Sequence, residues 1–275
     1  MIEIPESSTL ARQAAEVLTG RTVTAVFNAT QPHKFAWYAG DPALYPALLV
    51  GRRFCGAEGH GAFVDLCLDG DIHITVGDGT NLRYCESGAD IPAKYQMLIG
   101  LDNDAFLVFT VAMYGAIYAT QGRIDSPYYT GAAAKPSPLA EGFDTTYFEG
   151  LFAQTKPTLS AKAFLATQQR IPGLGNGTLQ DILFRARIHP KRKIAGLDAA
   201  DRKKLYEVLH ETLCEMTRKG GRDTERDLFG NPGGYRTLLS QKTFGGPCPV
   251  CGGDIRKEPY LGGAVYYCPC CQPLN

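Results

Sequence analysis

Four cysteines near the C-terminus, Cys248, Cys251, Cys268 and Cys271, set the pattern CPVC, sixteen residues, CPCC. Each CxxC turn places two sulfurs to chelate one ion, and four thiolates complete the tetrahedral shell preferred by Zn²⁺. The intervening GGDIRKEPYLGGAVYY has strand-like ends about Gly262 and Gly263, as a β-hairpin requires. All four ligand positions are sulfur, so one zinc ion here organises a hairpin and leaves no open position for catalysis. The competing reading is a redox dithiol or spare thiols. Cys270, between two ligands, reads as a bystander. Cys55, Cys67, Cys85 and Cys214 read as buried reduced thiols.

The second chemical signal is RIPGLGNGTLQDILFRARIHPKRK, residues 170–193. Gly173 and Gly175 let the chain turn tightly and bare its N–H groups at the head of a helix, a site suited to phosphate. Asn176 adds an amide, and Lys162 lies one short helix upstream. Residues 185–204 carry eight Lys/Arg and two Asp. The turn alone would be an ordinary helical hairpin; turn, amide and cations together suggest binding to a nucleic-acid backbone. The motif is not a dinucleotide fingerprint, because no strand leads into it. His60 and His73 read as hydrogen-bonded structural histidines rather than metal ligands. Asp223, Glu225, Arg226 and Asp227 read as a solvated loop.

These residues need elements to position them. The chain has 275 residues, 44% of them hydrophobic. At roughly 100–200 residues per domain, two domains are expected. Residues 1–150 hold 9 Lys/Arg against 17 Asp/Glu, and the remainder hold 19 against 11. The second half therefore suits a polyanion, while the acidic first half repels one. There is no secretory signal and no run of apolar residues long enough to span a membrane, so a cytoplasmic protein, nucleoid-associated when on DNA, is expected.

LARQAAEVL (10–18) has helical spacing, with Ser7 or Ser8 as cap and Gly20 as terminator. TVTAVF, AFVDLCL, DIHITVG and AFLVFTVAMYGAIYA, separated by Gly and Asp turns, indicate an antiparallel sheet or sandwich. Residues 126–142, rich in Pro, Gly and Ala without periodicity, read as a linker. Helices are expected over 145–153, 159–169, 177–186 and 198–218, followed by a polar, glycine-rich loop over 220–235.

The N-terminal Ile2-Glu3-Ile4-Pro5-Glu6, the β-rich first half, GLGN-x8-RAxIHP between helices, and CxxC-x16-CxxC followed by Gln272 together resemble the formamidopyrimidine-DNA glycosylase / endonuclease VIII (Fpg/Nei) family, over essentially the whole chain. The resemblance implies an α+β multidomain fold: an N-terminal β-sandwich with a leading helix (1–125), the linker (126–142), a helix–two-turn–helix domain (143–240) and a zinc-finger hairpin (241–275). It implies damaged double-stranded DNA in the cleft between the halves. Phosphate contacts fall to Lys162, Gly175 and Asn176, and to His60 where the family has a lysine. Glu3 handles protons.

Departures from the family pattern bear on chemistry. The family's residue 2 is a proline whose amine attacks the sugar C1′; here it is Ile2. Its α-amine could serve only if Met1 is removed, and the bulky Ile2 side chain disfavours that removal. With Met1 in place, the amine shifts by about 3.5 Å of chain. The DNA-inserting positions read as Asp78 and Ala112-Met113-Tyr114, and the phosphate-pinning arginine of the zinc hairpin reads as Gly263. The expectation is base excision assisted by Glu3, without the lyase step. The alternatives are a non-catalytic DNA-binding relative, or a scaffold whose acidic first half binds a protein partner.

Overall fold

In FVDLCL and IHITV, apolar and polar residues alternate with the period of a strand. Val64, Leu66, Leu68, Ile72, Ile74 and Val76 therefore share one buried face. The computed structural model describes residues 1–274, apart from the side chain of Asp78, so the reading of that side chain as DNA-inserting lies outside what is described. Strands β1 (Val23–Asn28), β2 (Ala36–Tyr38), β3 (Phe54–His60), β4 (Phe63–Leu68), β5 (Ile72–Cys85), β6 (Met97–Leu101) and β7 (Phe106–Gln121) form one sheet. Its order is β1-β6-β7-β5-β4-β3, with antiparallel pairing along that path, while β2 runs parallel to β7.

β5 and β7 are long enough to pair twice, on either side of a bulge. There Ala112–Tyr114 of β7 lie opposite the single residue Gly79. The sheet bends at this point, as bulges dictate. Its two halves then face each other across one core, Leu66, Ile74 and Ile117 against Met97, Ile99 and Phe109. Hydrogen bonds from Val23 N–H to the Arg52 carbonyl and from Phe54 N–H to the Arg21 carbonyl, both 2.9 Å, stitch the starts of β1 and β3 together. This is the expected sandwich.

Helix α1 (Ile4–Leu18) covers β3 and β4 with Leu10, Ala11, Ala14 and Leu18. It starts six residues earlier than the spacing predicts. Its N-cap is Glu3, and Pro5 sits in the first turn, where a missing N–H costs nothing. Ser7 lies inside the helix, where its hydroxyl donates to the Gly61 carbonyl at 2.6 Å. Gly20, at φ +86°, ends the segment as expected.

After α2 (Tyr45–Leu49), the segment read as a linker contains helix α3 (Pro127–Ala134). Its stability is tertiary, which is why periodicity misses it. The buried Tyr129 hydroxyl donates to Asp65 Oδ2 at 2.7 Å, and Asp65 also bonds His73 (3.0 Å) and Thr75 (3.0 Å). His73 is thus the structural histidine expected. Helices α4 (Thr145–Ala153), α5 (Ala161–Ala166), α6 (Asn176–Ala186) and α7 (Ala199–Arg218) enclose a second core built on Phe148, Phe164, Ile182, Leu183, Leu209 and Leu213. Hairpin β8 (Arg256–Tyr260) and β9 (Gly263–Tyr267) closes the chain and packs on α6 through Phe184 and Tyr266. No helix among the described residues is long and apolar enough to cross a membrane.

Candidate DNA-binding and catalytic site

The glycine turn expected to hold phosphate holds a carboxylate of the chain itself. Glu3, 4% exposed, sits at the head of α6. Its Oε1 accepts from Gly177 N–H at 2.8 Å. Its Oε2 accepts from Gly175 N–H (3.2 Å), Thr178 N–H (2.8 Å) and the Thr178 hydroxyl (2.7 Å). An anion belongs at the positive end of a helix, and this one came from the opposite end of the sequence. The glycines permit it. A Cβ on Gly175 would lie 2.5 Å from Glu3 Cδ, and one on Gly173, at φ +79°, would lie 2.2 Å from the Gly61 backbone. The Gly175 N–H is therefore engaged by Glu3, not open to a phosphate.

Arg222 completes the arrangement. It is buried, and it bonds Glu6 through Nε (3.0 Å) and Nη2 (2.8 Å), Glu3 at 3.5 Å and the Met1 carbonyl at 3.3 Å. Burial works against its charge, but the Glu3 and Glu6 carboxylates more than offset this and hold the guanidinium firmly protonated. The loop after Arg222 is not simply solvated. Glu225 pairs with the Met1 ammonium, and Asp227 accepts from Gln13 of α1 at 3.1 Å. Between this loop and the sheet lies a cavity of about 510 Å³, bounded by Met1, Ile2, Glu6, Arg83, Glu225 and Arg226 among others. Ile2 itself is 5% exposed, with its side chain in the sandwich core. Glu3 is not among the cavity's lining residues.

A second polar junction lies where α5, α6 and the hairpin meet. The Lys162 ammonium donates to the Tyr260 carbonyl at 2.5 Å, and the Asn176 amide donates to the Ala264 carbonyl at 3.0 Å. Burial pulls the Lys162 pKa down from its ordinary value. Gly263 sits against Asn176, at 3.3 Å from where its Cβ would be, so Lys162, Asn176 and the hairpin tip lie together. Where an arginine was expected by resemblance, the tip carries no cation. His60 lies elsewhere, at the end of β3. It bonds Glu58 at 3.0 Å, and Glu58 also binds Arg123.

In the hairpin, the sulfurs of Cys248, Cys251, Cys268 and Cys271 all lie within 4.8 Å of one another. Cys248 to Cys271 is 3.8 Å and Cys251 to Cys268 is 3.5 Å. Tetrahedral Zn–S bonds of ~2.3 Å separate sulfurs by roughly 3.8 Å, so the cluster fits a zinc finger. No disulfide joins any of the nine cysteines. Gln272 ties the cluster to the helical domain: its Oε1 accepts from Cys268 N–H at 3.1 Å and its Nε2 donates to the Ile188 carbonyl at 2.9 Å.

Residues 135–227 match the formamidopyrimidine-DNA glycosylase H2TH domain. The formamidopyrimidine-DNA glycosylase of Heliobacterium modesticaldum is 30% identical over 282 residues, covering 99% of this chain and 100% of that one. The chain belongs to the formamidopyrimidine-DNA glycosylase family. The same enzyme of Thermus thermophilus is 28% identical over 99% of this chain and 98% of its own. The crystal structure of the Thermus thermophilus MutM (Fpg) protein superposes with a TM-score of 0.81 at 26% identity, covering 99% of both chains. A Lactococcus lactis Fpg complexed with DNA containing an abasic site shares the fold at TM-score 0.82 and 22% identity, over 98% of this chain and 99% of that one.

The motifs read from sequence fall into two groups. Lys162 and Asn176 meet the hairpin that carries the four cysteines, while Glu3 takes the backbone donors at the head of α6, Gly175 among them. His60 joins neither. Sequence reading missed Arg222, the residue on which Glu3 and Glu6 depend. Its local signal was weak, one of two arginines in a polar loop, the one placed directly after Gly220 and Gly221.

Proposed function

We propose that the protein recognises damaged double-stranded DNA, receives the damaged base in the cavity beside its N-terminus, and cleaves the base–sugar bond without the lyase step. The observation that carries this reading is the cavity itself, lying between the N-terminal residues, the sheet and the Glu225–Gly230 loop, with Lys162 and Asn176 on the same protein to hold backbone. The Lactococcus lactis relative's complex with abasic DNA supports DNA as the ligand class. One Zn²⁺ on Cys248, Cys251, Cys268 and Cys271 would fix the hairpin tip against Asn176. In the cleavage, Glu3 takes a proton from water, the water oxygen bonds C1′, and the C1′–N electrons leave with the base, which is protonated in turn. General-base assistance of this kind contributes typically about 10²–10⁴-fold. Glu3 must first exchange a donor for that water, and the Gly175 N–H, at 3.2 Å, is the longest of its backbone bonds.

One observation favours a second reading, a non-catalytic damage sensor. Both oxygens of Glu3 are already bonded, and Glu3 does not line the cavity. Glu3→Gln separates the two on a panel of lesion-bearing duplexes, with binding measured alongside. The catalytic reading expects wild-type excision that is lost in the variant while binding persists. Excision of no lesion by the wild type, with unchanged binding by the variant, would establish the sensor.

A further inference from the structure

From Val17 to Gly40 the chain has no Asp or Glu, within a half that holds 17 of them, and its charged groups are Arg21 and Lys34. This stretch also exposes rings. Phe35 and Trp37 are 48% and 45% exposed, and Met113 on the neighbouring bulge of β7 is 72% exposed. Backbone bonding rather than burial holds them together. β2 lies parallel to β7 with Trp37 opposite Ala116, and Gly115 N–H donates to the Phe35 carbonyl at 2.9 Å. The Trp37 and Tyr114 rings are 6.0 Å apart at 50°, and the Lys34 ammonium lies 5.4 Å from the Phe35 ring centre.

The patch runs into the cavity described above. The Tyr114 hydroxyl lies 3.8 Å from the sulfur of Met1, and Met1 lines that cavity. Solvent-facing aromatic rings gathered beside a cavity mouth mark a binding surface more often than a folding necessity. Every nucleobase has a π-face that stacks on such rings, and a nearby cation offsets the phosphate that accompanies it. A stretch free of carboxylates in an acidic half has the charge balance this partner needs.

Resting on the reading that the chain binds DNA, we infer that Trp37, flanked by Tyr114 and Phe35, is a stacking platform for an unpaired nucleobase outside the cavity. The base in question is one left exposed when the duplex opens, not the damaged base inside. Lys34 supplies the adjacent positive charge.

Trp37 is the sole tryptophan of the chain, so its emission reports this surface alone. The full-length protein is titrated with end-labelled duplex bearing one abasic site and with the same duplex intact, reading label anisotropy and tryptophan emission together. Expected are binding by anisotropy and quenching of Trp37 that is stronger on the abasic duplex. Trp37→Ala should weaken that binding by roughly tenfold, with Trp37→Phe recovering most of it. Binding by anisotropy with unchanged Trp37 emission and wild-type affinity in Trp37→Ala would overturn the platform and leave the DNA reading standing. No anisotropy change on either duplex would overturn both.

Discussion

Two polar junctions join the parts of this protein, and they are built on opposite terms. At the head of α6, Glu3, Glu6 and Arg222 are almost fully buried and meet one another with charge-assisted bonds. Where the hairpin meets the same domain, Lys162 and Asn176 rest on neutral carbonyls of Tyr260 and Ala264. Removing one partner from the first leaves an uncompensated buried charge, which costs several kcal/mol. In the second, the exposed Asn176 amide can exchange its carbonyl for a phosphate oxygen at little cost, because a neutral acceptor gives way to a charged one, whereas Lys162 is only 3% exposed. The first is a lock that fixes geometry, and the second is a hand that can let go. That contrast separates the buried glutamate at the glycine turn from the exposed amide of Asn176 beside it.

The contrast can be broken at either side. The largest effect is expected from metal removal. Structural zinc contributes on the order of 10 kcal/mol to the fold it organises. Chelation or Cys248→Ser should therefore unfold β8–β9 and release Lys162 and Asn176, leaving the sandwich intact; metal content of one ion per chain and limited proteolysis check this. Next comes the lock. Arg222→Met should destabilise the protein by about 3–5 kcal/mol, because Glu3 and Glu6 lose their shared partner, and urea unfolding measures it.

A pH dependence sharpens the same side. Asp181 of α6 is buried and accepts from Leu238 and Leu239 N–H at 2.9 and 2.8 Å. Burial pushes its pKa up to about 6 from an ordinary 3.8, against the lowering by those bonds. The folded protein then keeps a proton that the unfolded chain has released. Stability from this group is full below about pH 4 and is lost as pH rises to about 6, by roughly 2–3 kcal/mol. Denaturation midpoints across that window should show the slope, and Asp181→Asn should flatten it. The smallest effects lie on the exchangeable side. Lys162→Ala and Asn176→Ala should each weaken DNA binding by about 1–1.5 kcal/mol. Asn176→Ala should leave unfolding nearly unchanged, since the amide is exposed. Anisotropy titrations at fixed salt provide the test.

What could be read from the sequence divides along the range of the interactions. The cysteine spacing, α4, α6, α7 and the alternating strands are local patterns, and they stand where the sequence places them. α3 was invisible because its anchor is Tyr129 on Asp65, 64 residues away. The early start of α1 was invisible because its cap is a glutamate held by a helix 172 residues further on. Arg222 contacts Glu6 across 216 residues, so no window of sequence could have paired them. β2 is three residues long and held by β7, almost eighty residues further on, while β6 (MLIGL) is buried throughout and so shows no alternation. Family resemblance located Glu3, but only the packing showed what holds it.

Base excision without a covalent link to the N-terminus is tested most directly by borohydride trapping. The reagent is added during turnover on lesion-bearing duplex, and the products are separated on gels with and without alkali. No protein–DNA adduct is expected, and strands should break only after alkali. A trapped adduct mapped by mass spectrometry to the N-terminal residue would contradict this mechanism and restore the amine as nucleophile.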